Sequence, residues 1–145
     1  MKTPTSTLSL KKMIAHAAWL LLVASGPLLA HDDATLATLK TPHGGQLKES
    51  GDWRFELVQQ AGAAGGNNTL LVYVTDHDGK PVATAGLKAS ATVLAGKEKQ
   101  TATLLPDGDN RLKGTARYDV RAQPKIVVAV SGGGRSEQVR FTPAP

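Results

Sequence analysis

The chain has 145 residues, 17 Lys and Arg against 12 Asp and Glu, a formal charge of +5 and no cysteine. This length fits one domain with a short appendage, and a charged fraction of 20% beside 41% hydrophobic residues excludes a disordered polyelectrolyte. The lack of cysteine excludes disulfides, thiolate metal sites, cysteine nucleophiles and lipid attachment at an N-terminal cysteine.

Residues 1–30 predict a secretory signal peptide. Three lysines and no acidic residue occupy positions 1–12, and an apolar run follows over 13–23. We expect cleavage after Ala30, which ends a short apolar segment. The alternative is an uncleaved membrane anchor, but the apolar run is shorter than the roughly 20 residues that a bilayer requires.

Cleavage at this point changes the charge of the protein. Three lysines leave with the signal peptide, so that 14 basic and 12 acidic residues remain and the net charge falls to +2. The remaining charges are interspersed, without a basic stripe that contains aromatic residues, which argues against nucleic-acid binding. We therefore expect an exported, periplasmic protein that begins at His31 and is not inserted in the membrane.

The mature chain predicts a short arm and then one all-β domain. Residues 31–42 show no sustained period and are interpreted as a flexible arm, and residues 43–145 as the domain. Period-two alternation of apolar and polar residues recurs after the arm, with turn residues between the segments, as is typical of strands. The predicted strands are 53–57, 69–75, 87–93, 100–105, 111–118, 125–130 and 137–142. About seven strands in this length predict an antiparallel two-sheet sandwich, immunoglobulin-like in outline.

The connections between these strands carry turn residues. The sequence predicts a long flexible hairpin loop at 61–68, a turn at 76–81, and tight connections at 95–97, 106–110 and 131–135. The loop at 61–68 is rich in glycine, but it has no Gly-Lys-Ser/Thr ending and no helix follows it, so it does not predict a phosphate site.

Catalysis has little support in the sequence. No serine lies in a nucleophile-elbow setting, and aspartate pairs such as Asp76 and Asp78 fall in turns, where carboxylates usually bind nearby backbone N–H groups. The start of a calcium loop at 76–79 lacks the glutamate that completes its ligand set. We therefore predict that the protein is not an enzyme.

Three histidines of the mature chain are candidate metal ligands. At a processed N-terminus, the α-amine and ring Nδ1 of His31 chelate one ion together, an arrangement that suits Cu(II). His43 follows a proline and precedes two glycines, which predicts an imidazole that projects from a loop. His77 lies in the 76–81 turn beside Asp78, a further candidate ligand. Histidine, amine and carboxylate donors without thiolate favour Cu(II), Ni(II) or Zn(II) over Cu(I). The alternative is three ordinary exposed histidines.

The mature chain resembles a group of small uncharacterised proteobacterial periplasmic proteins. The likeness rests on the His31-Asp-Asp-Ala start, the Thr-Pro-His-Gly-Gly-Gln-Leu segment at 41–47, the strand at 52–58, and the segments 72–77, 104–114 and 137–143. The Pro-His-Gly-Gly segment is also similar to metal-associated segments of adaptor subunits in heavy-metal efflux pumps. This resemblance implies a periplasmic β-sandwich that takes part in copper or other heavy-metal handling.

Periplasmic copper carriers that use an N-terminal histidine with loop ligands offer a more distant analogy. Both methionines of this chain precede residue 14, so only their Cu(II) type of site matches. Our leading hypothesis is a non-enzymatic periplasmic protein that binds or buffers Cu(II) or another divalent transition metal through His31, His43, His77 and Asp78. The alternative is an accessory module that docks onto an envelope or metal-efflux protein without binding metal.

Overall fold

The structure is a computed structural model that describes residue 36, residues 41–62 and residues 66–143. The predicted signal peptide and residues 31–35 and 37–40 of the predicted arm, His31 among them, lie outside the described residues. Leu36 itself is buried. Within the described ranges, no helix is long and apolar enough to cross a bilayer.

Eight antiparallel strands form one sheet. The strands are β1 (Gln46–Ser50), β2 (Trp53–Gln60), β3 (Asn67–Asp76), β4 (Lys88–Ala95), β5 (Glu98–Pro106), β6 (Arg111–Arg117), β7 (Lys125–Gly132) and β8 (Arg135–Phe141), with one 3₁₀ turn, η1 (Val120–Ala122), before β7. All seven predicted strands are confirmed. The eighth, β1, was not predicted.

The strand order is β1-β2-β3-β6-β5-β4-β7-β8. The first half-sheet, β1-β2-β3-β6, and the second half-sheet, β5-β4-β7-β8, are joined where β5 pairs with β6 through two residue pairs. At the other side the outer strands β1 and β8 touch through side chains, since Gln46 Nε2 donates to the Thr142 carbonyl at 3.0 Å and Ser50 Oγ to Glu137 Oε2 at 2.9 Å. The sheet is therefore a nearly closed barrel. The all-β antiparallel prediction is confirmed, whereas a division into two immunoglobulin-like sheets is not.

The long connections place the strands in two overlapping Greek keys. β4, β5 and β6 follow one another as hairpins, β6 lies beside β3, and β7 returns to lie beside β4. The hairpins predicted at 95–97 and 131–135 are confirmed. The predicted loop at 61–68 is shorter than expected, because β3 begins at Asn67 and Asn68 is its second residue. Its side chain is buried and donates to the Tyr118 carbonyl at 2.7 Å, while its oxygen accepts from Gly62 N at 3.1 Å.

The core lies inside the barrel and follows the predicted alternation. Leu70, Val72 and Val74 of β3 are fully buried, and every other strand except β1 also contributes at least one fully buried side chain. The core contains few aromatic residues. Its largest fully buried side chains are Phe55, Phe141, Leu57, Leu70, Leu104, Leu112 and Ile126. Small and β-branched side chains fill the remaining space.

Tyr118 packs against this core, and burial of its phenol makes the stability of the fold depend on pH in the alkaline range. The ring is buried, its hydroxyl donates to Gln59 Oε1 at 2.9 Å, and burial raises the pKa of the phenol from its ordinary 10.0 to about 12. The folded chain therefore holds this proton more tightly than the unfolded chain does, so stability falls as the pH rises from 10 to 12.

We expect the urea midpoint of the native chain to fall more steeply across this pH range than that of a Tyr118→Phe variant, which has no phenol at this position. Urea unfolding at a series of pH values measures both slopes. Equal slopes in the two chains would show that Tyr118 does not carry this pH dependence.

Candidate metal site

His43 is carried to the outer surface of the first half-sheet by the short loop at 41–45. Gly44 N donates to the Thr41 carbonyl at 3.3 Å, and Gly44 adopts a positive φ of 74°, which glycine reaches without strain. A side chain at Gly45 would collide with the backbone carbonyl of Leu57. The two glycines therefore allow the loop to turn tightly and to lie directly against β2.

A buried carboxylate fixes this loop. Glu56 alternates on β2 with the core residues Phe55 and Leu57, so it points to the outer surface, but the loop covers it and leaves only 3% of it exposed. Its Oε1 accepts from the backbone N–H groups of His43 at 2.9 Å and of Gly45 at 2.8 Å. Its Oε2 lies 2.9 Å from His43 Nδ1. One carboxylate thus holds two backbone groups and one ring nitrogen.

This contact defines which ring nitrogen of His43 can bind a metal. An ionised carboxylate only accepts hydrogen bonds, so the proton of the imidazole lies on Nδ1 and the lone pair of the neutral ring lies on Nε2. Among the described residues, Nε2 has no hydrogen-bond partner, and the side chain is 40% exposed. In the neutral ring, Nε2 is therefore the nitrogen whose lone pair is directed away from Glu56.

Tyr73 supports the imidazole from one side. The two rings are stacked with centroids 3.5 Å apart and planes 3° from parallel. Tyr73 lies opposite Glu56 in the β2–β3 pairing and opposite Arg111 in the β3–β6 pairing. The Arg111 guanidinium lies 5.9 Å from the Tyr73 ring centroid and is itself bound to Asp107 at 2.8 Å. The ring of His43 is thus fixed at one nitrogen and along one face.

His77 lies beside a different carboxylate, that of Glu49. Its Nε2 lies 3.2 Å from the Gly51 carbonyl, and its Nδ1 lies 3.8 Å from Glu49 Oε1. Glu49 also forms an ion pair with Arg54, while its buried Oε2 has no hydrogen-bond partner among the described residues. The structure therefore has two separate histidine–carboxylate pairs, and His43 and His77 do not share one.

Asp78 lies at the exposed tip of the turn. Its side chain is 76% exposed and lies 3.7 Å from Lys80 Nζ. The neighbouring Asp76 Oδ1 accepts from the backbone N–H groups of Asp78 at 2.9 Å and of Lys80 at 2.8 Å, which confirms the predicted turn role for this aspartate. Within the part of the chain that the structure describes, no three His, Asp or Glu side chains come together to hold a metal ion.

Sequence reasoning missed Glu56 and Tyr73. Both appear in the sequence as ordinary outward residues of alternating strands. The available signal was a single acidic residue inside a strand that begins eight residues after the end of a Pro-His-Gly-Gly loop, but no sequence rule places that loop over that strand. Comparison with protein families, curated proteins and solved structures gives no match to the chain.

Proposed function

We propose that the chain is an exported, non-enzymatic protein that binds a divalent transition metal, and that Cu(II) is the ion its donors suit best. In this proposal the metal is held by His43 Nε2 together with the α-amine and imidazole of His31, after removal of residues 1–30. The proposal rests mainly on the hydrogen bond between His43 Nδ1 and the buried carboxylate of Glu56.

That hydrogen bond supports a ligand role because of what it does to the ring. A histidine that binds a metal almost always donates its other N–H to a carboxylate, a carbonyl or water, which sets the tautomer and orientation and raises the basicity of the coordinating nitrogen. The carboxylate of Glu56 occupies the position of such a partner, 2.9 Å from His43 Nδ1. Glu56 is buried, and it holds the exposed His43 through the ring and through two backbone N–H groups of the loop. A surface side chain does not need so many contacts for stability alone.

The donor types favour Cu(II). The chain from His31 onward contains no cysteine and no methionine, so soft sulfur donors for Cu(I) are absent from its sequence. An amine and imidazoles suit the tetragonal geometry of Cu(II), which also binds nitrogen donors more tightly than the other divalent first-row ions. The resemblance to metal-associated efflux segments agrees with this choice.

The length of the arm permits His31 and His43 to share one ion. His31 precedes His43 by twelve residues, and a segment of this length can fold back on itself to bring its two ends to one ion, since the entropic cost of closing a loop grows only slowly with its length. We give His77 and Asp78 no place in this site, since His77 is bound to Gly51 and paired with Glu49, and Asp78 is paired with Lys80.

A Cu(II) titration by calorimetry tests the proposal. For the chain that begins at His31, we expect one ion bound per chain with submicromolar affinity. His43→Ala weakens binding by more than about tenfold, because removal of an outer-shell partner alone costs 10- to 100-fold. An extra residue before His31, which blocks the amine chelate, also weakens binding, whereas the matched control His77→Ala does not. Equal affinity in native and His43→Ala chains would contradict the proposal.

A further inference from the structure

The outer face of the second half-sheet carries cations and no acidic side chain. Each of its four strands contributes one exposed basic residue to this side, and we call the surface they define the basic face: Lys88 on β4, Lys99 on β5, Lys125 on β7 and Arg140 on β8. The acidic residues of these strands are Glu98 and Glu137, and both occupy the alternate positions that face the other way. Within the described residues, none of the four cations has a carboxylate within 4 Å.

Exposed leucines lie among these cations. The large hydrophobic side chains that are exposed in the described ranges are Leu94 at 41%, Leu105 at 64% and Val120 at 44%. Both leucines occupy outward positions of the basic face. Leu94 is paired with Lys99 on one side and with Lys125 on the other. An apolar tip between two ammonium groups matches the interface of a bilayer, where the hydrocarbon region lies just below the charged headgroups.

The middle of the basic face is made of small side chains. Outward positions there hold residues such as Thr92, Thr101 and Ala129, whose short side chains project less from the sheet than the cations around them. Near Lys88, a shallow depression of about 230 Å³ is lined in part by Ser90, Ser131 and Ser136. Hydroxyl and ammonium donors in one depression suit the oxygens of a phosphate group.

We propose that the basic face docks this protein onto the surface of an anionic phospholipid bilayer. Attraction to anionic headgroups is worth about fivefold in affinity for each Lys or Arg near the surface, so four cations together favour an anionic over a neutral bilayer by several hundredfold. The two leucines add contact with the outermost hydrocarbon. The depression beside Lys88 receives one lipid phosphate.

A bilayer fits this face better than an acidic protein does. Protein interfaces draw most of their affinity from Trp, Tyr and Arg side chains set in pockets, and no aromatic side chain occupies an outward position on β4, β5, β7 or β8. A lipid surface needs no matching pockets, only charge and a few apolar tips. The His43–Glu56 pair lies on the outer surface of the other half-sheet, so it stays accessible in the docked protein, and the docking does not depend on metal binding.

Vesicle flotation tests the docking. The chain that begins at His31 contains all residues that the structure describes and lacks the apolar leader, which would itself bind lipid. We expect it to float with vesicles of phosphatidylglycerol mixed with phosphatidylcholine, to remain behind with phosphatidylcholine alone, and to be released by salt. Replacing the four cations of the basic face with glutamine should weaken binding by at least about a hundredfold.

A charge-matched variant separates the face from net charge. It carries glutamine in place of four exposed cations outside the basic face, namely Lys80, Lys113, Arg117 and Arg121. We expect this variant to retain most of the binding. Leu94→Ala with Leu105→Ala should weaken flotation severalfold, whereas Val120→Ala should not. Thermal unfolding checks that every variant is folded.

Four results would overturn the proposal. The first is equal loss of binding in the two charge variants, which would indicate net charge alone. The second is equal binding to neutral vesicles. The third is release by millimolar inorganic phosphate at constant ionic strength, which would indicate a site for free phosphate. The fourth is a chain that does not float with any of the vesicles. If an acidic polypeptide also binds that chain through the same four cations, the basic face belongs to a protein partner.

Discussion

Replacing Glu56 by alanine should destabilise the protein by about 2–3 kcal/mol and lower its melting temperature by roughly 10 °C. The substitution removes hydrogen bonds from two backbone N–H groups and from His43 Nδ1. A hydrogen bond to a charged group contributes about 1.5–3 kcal/mol, and the loop recovers part of the loss by turning its freed N–H groups to water. Thermal unfolding followed by circular dichroism measures the change.

Glu98→Ala is the matched control for this experiment. Glu98 begins β5, is exposed, and has no ion pair or side-chain hydrogen bond among the described residues, so its replacement should change stability by less than about 0.5 kcal/mol. If Glu56→Ala and Glu98→Ala melt at the same temperature, the carboxylate of Glu56 does not hold the loop in solution.

Replacing Glu56 by glutamine should preserve the fold but weaken Cu(II) binding by about 10- to 100-fold. The two backbone N–H groups both donate to Oε1, and only His43 Nδ1 is bound to Oε2. The amide oxygen of glutamine therefore takes the Oε1 position, and its NH₂ group faces Nδ1. Since NH₂ is a donor, the imidazole must place its proton on Nε2, which removes the lone pair that would bind the metal.

Two measurements check this result. Calorimetry gives the Cu(II) affinity, and the ¹⁵N chemical shifts of the imidazole in the metal-free protein show which nitrogen carries the proton. We expect protonation at Nδ1 in the native chain and at Nε2 in Glu56→Gln, with melting temperatures a few degrees apart. A Glu56→Gln chain that binds Cu(II) as tightly as the native chain would show that the tautomer of His43 has no part in binding.

The strands could be predicted because one side of each is buried. Alternation over 53–57 and 69–75 reports directly which residues face the core, and the structure places Phe55, Leu57 and Val72 there. β1 was missed because all five of its residues are partly exposed, so that it shows no contrast between an inner and an outer face. A polar strand at the end of a sheet shows too little alternation of apolar and polar residues to be predicted from its sequence.

The arrangement of the strands could not be predicted in the same way. Alternation shows which side of a strand is buried but not which strands are paired, and the pairing of β3 with β6 joins residues 38 to 50 positions apart. The continuity of the sheet depends on two residue pairs between β5 and β6, Leu105 with Lys113 and Pro106 with Leu112. No local pattern distinguishes these pairs from a gap between two separate sheets.

The candidate site shows the same limit. Glycine and proline around His43 correctly predicted an exposed imidazole on a loop, because these preferences act within a few residues. The partner Glu56 follows 13 residues later on the strand that the loop covers, and its burial arises only in the folded chain. For His77, the sequence showed the turn and its aspartates but not the carbonyl of Gly51 or the carboxylate of Glu49.

The most direct test of our central claim, that His43 and His31 bind one Cu(II) ion, is pulsed electron paramagnetic resonance of the Cu(II)-loaded chain that begins at His31. This measurement detects the remote nitrogen of each coordinated imidazole and so counts the histidine ligands. We predict two imidazoles in the native chain, two in His77→Ala and one in His43→Ala. Two imidazoles in His43→Ala, or a loss caused by His77→Ala instead, would contradict the claim.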